Sequence, residues 1–168
     1  MTSQTLMTTR NSEDVTELWN RSVREVERCA GVVLGQPLAE HLVMTLRSYI
    51  ADTELCRIVA REFLPTYLQS DSEALIRVAG RCLLITGLFP ALAKRRNVKV
   101  GYFFEIGVGS YHAHANYWNA RGRKGYAQCS KTAAERFLDL VETLRGMRGS
   151  PVTAEEIEAL TTPDLKWN

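Results

Sequence analysis

The chain has 168 residues, 45% of them hydrophobic and 24% charged, with a formal net charge of +2. These proportions belong to a folded domain and exclude disordered, collagen-like and disulfide-scaffold chains. The length suits one helical domain over 1–168, large enough to bury a core without a metal or disulfide staple. Loose tails are expected over 1–11 and 163–168.

In chain order, Asn11 or Ser12 can cap a first helix, with Glu13, Asp14 and Glu17 near its positive end. Val15, Leu18, Trp19, Ser22, Val26 and Cys29 follow at helical spacing, and Gly31 and Gly35 bracket the break after them. Pro37 suits the first turn of a second helix, whose stripe is Leu38, Leu42, Leu46, Tyr49 and Ile50. A break near Asp52 starts a third helix, which Pro65 ends or kinks. Ser70 and Glu73 form a capping box ahead of Leu75, Val78, Ala79, Cys82 and Leu83, the most apolar helix and the expected centre of the core. Gly87 and Pro90 stop it, and Ala91–Arg96 make one more short turn. Ala133–Arg145 reads as a further helix with Ala134, Phe137, Leu138, Val141 and Leu144 on one side. Thr153 and Glu156 form a second capping box before a short acidic helix ending near Leu160.

The stretch Val98–Trp118 satisfies two periods. Val98, Val100, Tyr102, Phe104, Ile106 and Val108 alternate as a half-buried strand would, and Gly107-Val-Gly-Ser could turn a hairpin. As a helix the same residues place Val100, Phe103, Phe104, Gly107 and Tyr111 on one face. Gly107 and Gly109 each cost a helix roughly 1 kcal/mol relative to Ala, which leans toward strands. The run Gly80–Pro90, then Arg95-Arg96-Asn97-Val98, then Tyr102-Phe103 and Gly107–Tyr111, resembles a family of bacterial proteins with no known activity. Its pattern is similar to G-x-x-x-L-x-x-x-G-[LF]-[FY]-P, a basic pair, then V-x-x-Y-[FY]-x-x-x-G-x-x-x-Y. The resemblance covers roughly residues 70–115 and implies a helix there. The chain departs from the pattern at His112 and His114. The family brings no cofactor and no catalytic residue.

The expected fold is therefore a mainly α, irregular bundle of about six helices around Leu75–Leu88, with a β-hairpin at 98–118 as the alternative. The longest apolar run, Cys82–Ala93, falls short of the roughly 20 residues of a spanning helix. No export signal is visible, and Cys29, Cys56, Cys82 and Cys129 contain no Cys-x-x-Cys pair. Reduced, mostly buried thiols in a cytoplasmic protein fit best.

Few constellations carry chemistry. His112 and His114 share a face only on a strand, so they form a ligand pair only in the hairpin. His41 stands alone, and H-E-x-x-H and E-x-x-H are absent, so neither a metal nor a cofactor is expected. No G-x-S-x-G occurs, and nothing in the sequence pairs Cys129 with either histidine. Glu105, between Phe104 and Ile106, reads either as a buried carboxylate with a raised pKa or as one partnered by a neighbouring Arg or Tyr.

Charge placement is the most unusual feature. Lys94, Arg95, Arg96, Lys99, Arg121, Arg123 and Lys124 stand against Glu105 alone, a net of +6 over 94–124. Extending to 126 collects Tyr102, Phe103, Phe104, Tyr111, Tyr117, Trp118 and Tyr126, seven of the fourteen aromatics. Cations among aromatics suit single-stranded nucleic acid, a phosphorylated small ligand or an acidic protein partner, while a solvated loop beside a core explains them without a ligand. The candidate binding residues are Arg95, Arg96, Tyr102, Glu105, Tyr111, His112, His114, Trp118, Arg121 and Arg123. The expectation is a non-catalytic cytoplasmic accessory or regulatory protein that binds protein and pairs as a homodimer, C2 pairing being commonest. A nucleic-acid-binding protein using 94–126 is the alternative, and an enzyme ranks third.

Overall fold

The computed structural model describes residues 3–51, 71–95, 97–149 and 153–161. Among them it forms eight helices and no strand. These are α1 (Ser3–Ala30), α2 (Gln36–Ala51), α3 (Ser72–Gly87), α4 (Pro90–Arg95), α5 (Val100–Ala120), α6 (Lys124–Glu135), α7 (Phe137–Met147) and α8 (Ala154–Thr161). The expectation of about six helices with a possible hairpin at 98–118 is corrected to an all-α bundle of eight. The helix expected from Asp52 to Pro65, Ser70, Arg96, Cys56 and the 163–168 tail lie outside the described residues.

The centre is a pair of helices, α3 against α5. α6 packs on α5, α7 on α3, and the α1–α2 hairpin on α7 and α6, while α8 lies against α5. Leu75, Val78, Ala79, Cys82, Leu83 and Ile85 of α3 are buried, as are Leu38, Leu42 and Leu46 of α2. From α7, Phe137, Leu140, Val141 and Leu144 join them.

The hairpin fails for reasons of packing. A helix that is apolar nearly all round belongs in the interior, and α5 meets neighbours on several sides. That explains why Val98–Val108 is apolar at period two without being a strand. Gly107, costly in isolation, permits the contact: a Cβ there would lie 2.6 Å and 2.8 Å from two Phe137 ring carbons and 3.0 Å from Cys82 Cβ. Tertiary burial outweighs about 1 kcal/mol of helix propensity.

Several boundaries move. α1 begins at Ser3, so Asn11 and Ser12 lie inside it and the expected loose tail is helical from residue 3. Asp71, not Ser70, caps α3, its carboxylate accepting from the Glu73 and Ala74 amides at 3.1 and 3.3 Å. The helix expected over 133–145 is two: backbone at Arg136 (φ −110°, ψ 25°) separates α6 from α7. The Arg136 guanidinium there donates to the Val33 and Leu34 carbonyls and pairs with Asp139, tying the break to the α1–α2 turn. Thr153 and Glu156 exchange both hydrogen bonds of the expected capping box, at 3.0 and 3.2 Å. Glu156 also meets the buried Arg145 guanidinium, whose Nε donates to the Thr86 carbonyl, so α8 is strapped to the end of α3. The Thr153 amide bond and Arg145 hold the Glu156 carboxyl below its ordinary range against a partial desolvation cost.

Candidate functional site

α5 divides the candidate residues between its two ends. It spans roughly 30 Å at 1.5 Å per residue, so Lys94, Arg95 and Lys99 sit at one end while Arg121, Arg123 and Lys124 sit at the other. The single basic stretch of the sequence is thus two separate clusters. The exposed side between them carries Glu105, His112 and Asn116. Glu105 is exposed, which corrects the expectation of a buried carboxylate. Tyr102 is half-buried edge-on to Phe103, and burial pushes its hydroxyl above the ordinary range.

The structure brings His114, Trp118, Arg121 and Arg123 together at the α5–α6 corner. The Arg121 guanidinium lies 3.5 Å above the Tyr117 ring centroid, a cation–π contact. Trp118 stands edge-on to Tyr117 at 5.2 Å and tilted against Tyr126 at 5.3 Å. Tyr126 is 62% exposed, and Arg121, Arg123 and Lys124 all face solvent.

Beneath the corner both nitrogens of His114 are engaged. Trp118 Nε1 donates to His114 Nε2 at 3.1 Å, and His114 Nδ1 lies 2.6 Å from Ser130 Oγ. An indole N–H only donates, so Nε2 must carry the lone pair and Nδ1 the hydrogen. Ser130 therefore accepts, and His114 cannot take the Ser130 proton in this arrangement. A Ser–His nucleophile needs the opposite tautomer. Burial lowers the His114 basicity, and the indole N–H aimed at Nε2 opposes protonation further.

A second polar pair lies deeper. His41 of α2 meets the Tyr111 hydroxyl at 2.7 Å, with Tyr111 fully buried and Thr45 beside it. Burial, with repulsion from His114 second, lowers the His41 pKa to about 4. Burial likewise holds Tyr111 far above the usual phenol range. At neutral pH both groups are uncharged, as a satisfied interior pair should be. Tyr111 is thus a core residue.

His112 is exposed and lies on a different side of α5 from His114, so the shared-face geometry disappears with the hairpin. Among the described residues no three His, Cys, Asp or Glu side chains gather as a metal site would require. Of the described cysteines only Cys82 is buried; Cys29 is exposed and Cys129 intermediate, correcting the expectation of mostly buried thiols. Burial raises the Cys129 thiol above its ordinary range, the wrong direction for a nucleophile.

Sequence reasoning missed His41 and Ser130. The His41–Tyr111 bond joins residues 70 apart, which no local pattern reveals. His114 and Trp118 are four apart, and the helical period would have paired them. No family model, curated protein or solved structure matches the chain. No helix among the described residues is long and apolar enough to cross a membrane.

Proposed function

We propose that this is a non-catalytic accessory or regulatory protein of the bacterial cytoplasm, and that its α5–α6 corner binds an acidic segment of a partner protein. One observation carries the proposal: Arg121, Arg123, Lys124 and Tyr126 are all exposed within six residues of one another, in a stretch from 106 to 134 that contains no Asp or Glu. Cations beside an aromatic ring favour carboxylates and set the encounter rate with an acidic surface. Nucleic acid suits the corner less well. The Tyr117 face is already covered by Arg121, and Trp118 is tied inward, so Tyr126 alone offers an open ring where a strand needs successive platforms. The two basic clusters also leave the backbone no continuous track along α5.

The chain also pairs as a homodimer in this proposal, through the α1–α2 hairpin. Leu18 on α1, Val33 in the turn and Met44 on α2 are 55%, 74% and 60% exposed. Light scattering should give the mass of a dimer, and Val33→Asp with Met44→Glu should give the monomer. A wild-type monomer at micromolar concentration contradicts the pairing.

For the corner, anisotropy titration with a poly(Glu,Tyr) probe should show binding that weakens with salt. Arg121→Glu, Arg123→Glu and Lys124→Glu together should abolish it, while Lys94→Glu with Arg95→Glu should leave it intact. Sub-micromolar binding to oligothymidylate at about 0.15 M salt, or loss of probe binding in the Lys94/Arg95 variant, overturns the assignment.

A further inference from the structure

The hydrogen bonds of His114 couple the exposed corner to solvent protons. Nε2 is the only ring nitrogen with a lone pair, since Nδ1 already carries the hydrogen given to Ser130. A proton arriving at Nε2 therefore meets the Trp118 N–H head-on, and the two N–H groups cannot share the 3.1 Å gap between their nitrogens. The imidazolium keeps its Nδ1 bond to Ser130, because Nδ1–H donates in both charge states. Only the Trp118 bond must break. Trp118 is also the ring against which Tyr126 lies at 5.3 Å and Tyr117 stands edge-on.

We propose that His114 is a proton-operated latch for the α5–α6 corner: neutral, it holds the Trp118 indole by its N–H; protonated, it frees that indole and adds a fourth cation beside Arg121, Arg123 and Lys124. The surroundings allow the latch to act on its own. From α2 comes His41, which repels a second charge and stays neutral until about pH 4. From α6 come Ser130 and, next to it, Cys129, whose thiol burial keeps protonated. Tyr111, one turn earlier on α5, is uncharged throughout. His112, exposed on another side of α5, is the other imidazole to be controlled for.

The latch rests on the acidic-partner proposal only for its consequence, not for its chemistry. Both effects of the released state, an added charge and a freed aromatic face, favour an acidic aromatic ligand. Reciprocity then requires that a bound acidic ligand make His114 easier to protonate.

The test uses the full chain and nuclear magnetic resonance between pH 7.5 and pH 4.5. The Trp118 indole N–H signal should shift with the same midpoint as the His114 ring, below 6.5, and that midpoint should rise toward 6.5 in Trp118→Phe, which keeps a ring but lacks the N–H. An indole signal that ignores the His114 transition, or a midpoint unmoved by Trp118→Phe, overturns the latch whether or not any partner binds. In a His112→Gln background, lowering the pH from 7.5 to 5.5 should tighten poly(Glu,Tyr) binding by at least about fivefold, the lower end of ordinary coupling between two sites. His114→Gln should remove that gain. Tightening that survives His114→Gln overturns the regulatory role, while absence of probe binding at every pH alongside a coupled indole signal overturns the partner assignment and leaves the latch standing.

Discussion

The two halves of α5 solve opposite problems with one continuous helix. From Val100 to Ser110 it is a packing element: Phe103, Ile106 and Gly107 are buried, and the glycine admits the Phe137 ring where a methyl group would collide. From Tyr111 to Ala120 polar groups enter the same interface, each matched to a partner from another helix or from the next turn. His41 answers Tyr111, Ser130 answers His114, and His114 answers Trp118. Close packing fills the buried side of the first half. The second half leads into the exposed cations and the exposed Tyr126 of the corner, and on its buried side hydrogen bonds that one proton can rearrange join ring contacts such as Tyr111 against Phe137.

Changes to the packed region should carry the largest effects. Leu83→Ala and Leu140→Ala, both fully buried, should each cost roughly 2–5 kcal/mol in urea unfolding. Leu138→Ala should cost less, since Leu138 is only partly buried where its sequence stripe put it inside. Equal costs at 138 and 140 would shift the α7 face assigned here.

The polar half should reveal itself through pH. The unfolded chain protonates His41 near 6.5, whereas the folded chain resists until about 4. Between those values the unfolded state binds more protons, so stability falls as pH drops from 6.5 to about 4 and loses nothing further from this group below that. At 1.36 kcal/mol per pH unit the loss is about 3 kcal/mol. In His41→Gln the dependence should flatten, so the gap between wild type and variant narrows by about that amount from pH 7 to pH 4. A constant gap would mean that His41 is not held neutral by burial.

Glycine substitutions sharpen the contrast. Gly107→Ala should destabilise by about 1–2 kcal/mol, because overpacking costs 1–3 and helix propensity returns less than 1. Gly125→Ala, in open space at the start of α6, should be neutral or stabilising by a few tenths of a kcal/mol. Effects on stability at the corner are likewise small: Arg121→Glu, Arg123→Glu and Lys124→Glu should each move it by no more than about 0.5 kcal/mol while together removing probe binding.

Much of this was legible in the chain. Leu38, Leu42 and Leu46 of the α2 stripe, the α3 stripe, the glycines around the α1–α2 turn and the Thr153–Glu156 box follow from local rules that tertiary structure did not override. α5 was ambiguous because its first half is apolar at nearly every position, buried or not, and period two and period 3.6 then fit equally well. The decisive fact was the space beside Phe137, a residue thirty positions after Gly107. The site was half legible for a related reason. Charge and aromatic content marked 94–126, but only the length of α5 shows that its cations form two clusters. His41 and Ser130 could not be read because their partners come from other helices.

The claim that the α5–α6 corner supplies the binding surface is tested most directly by mapping amide shift changes on adding poly(Glu,Tyr) to the labelled protein. The largest changes should fall at Tyr117, Trp118 and Arg121–Tyr126, with the α4–α5 end silent. Changes centred on Lys94–Lys99, or confined to the α1–α2 hairpin, would contradict it.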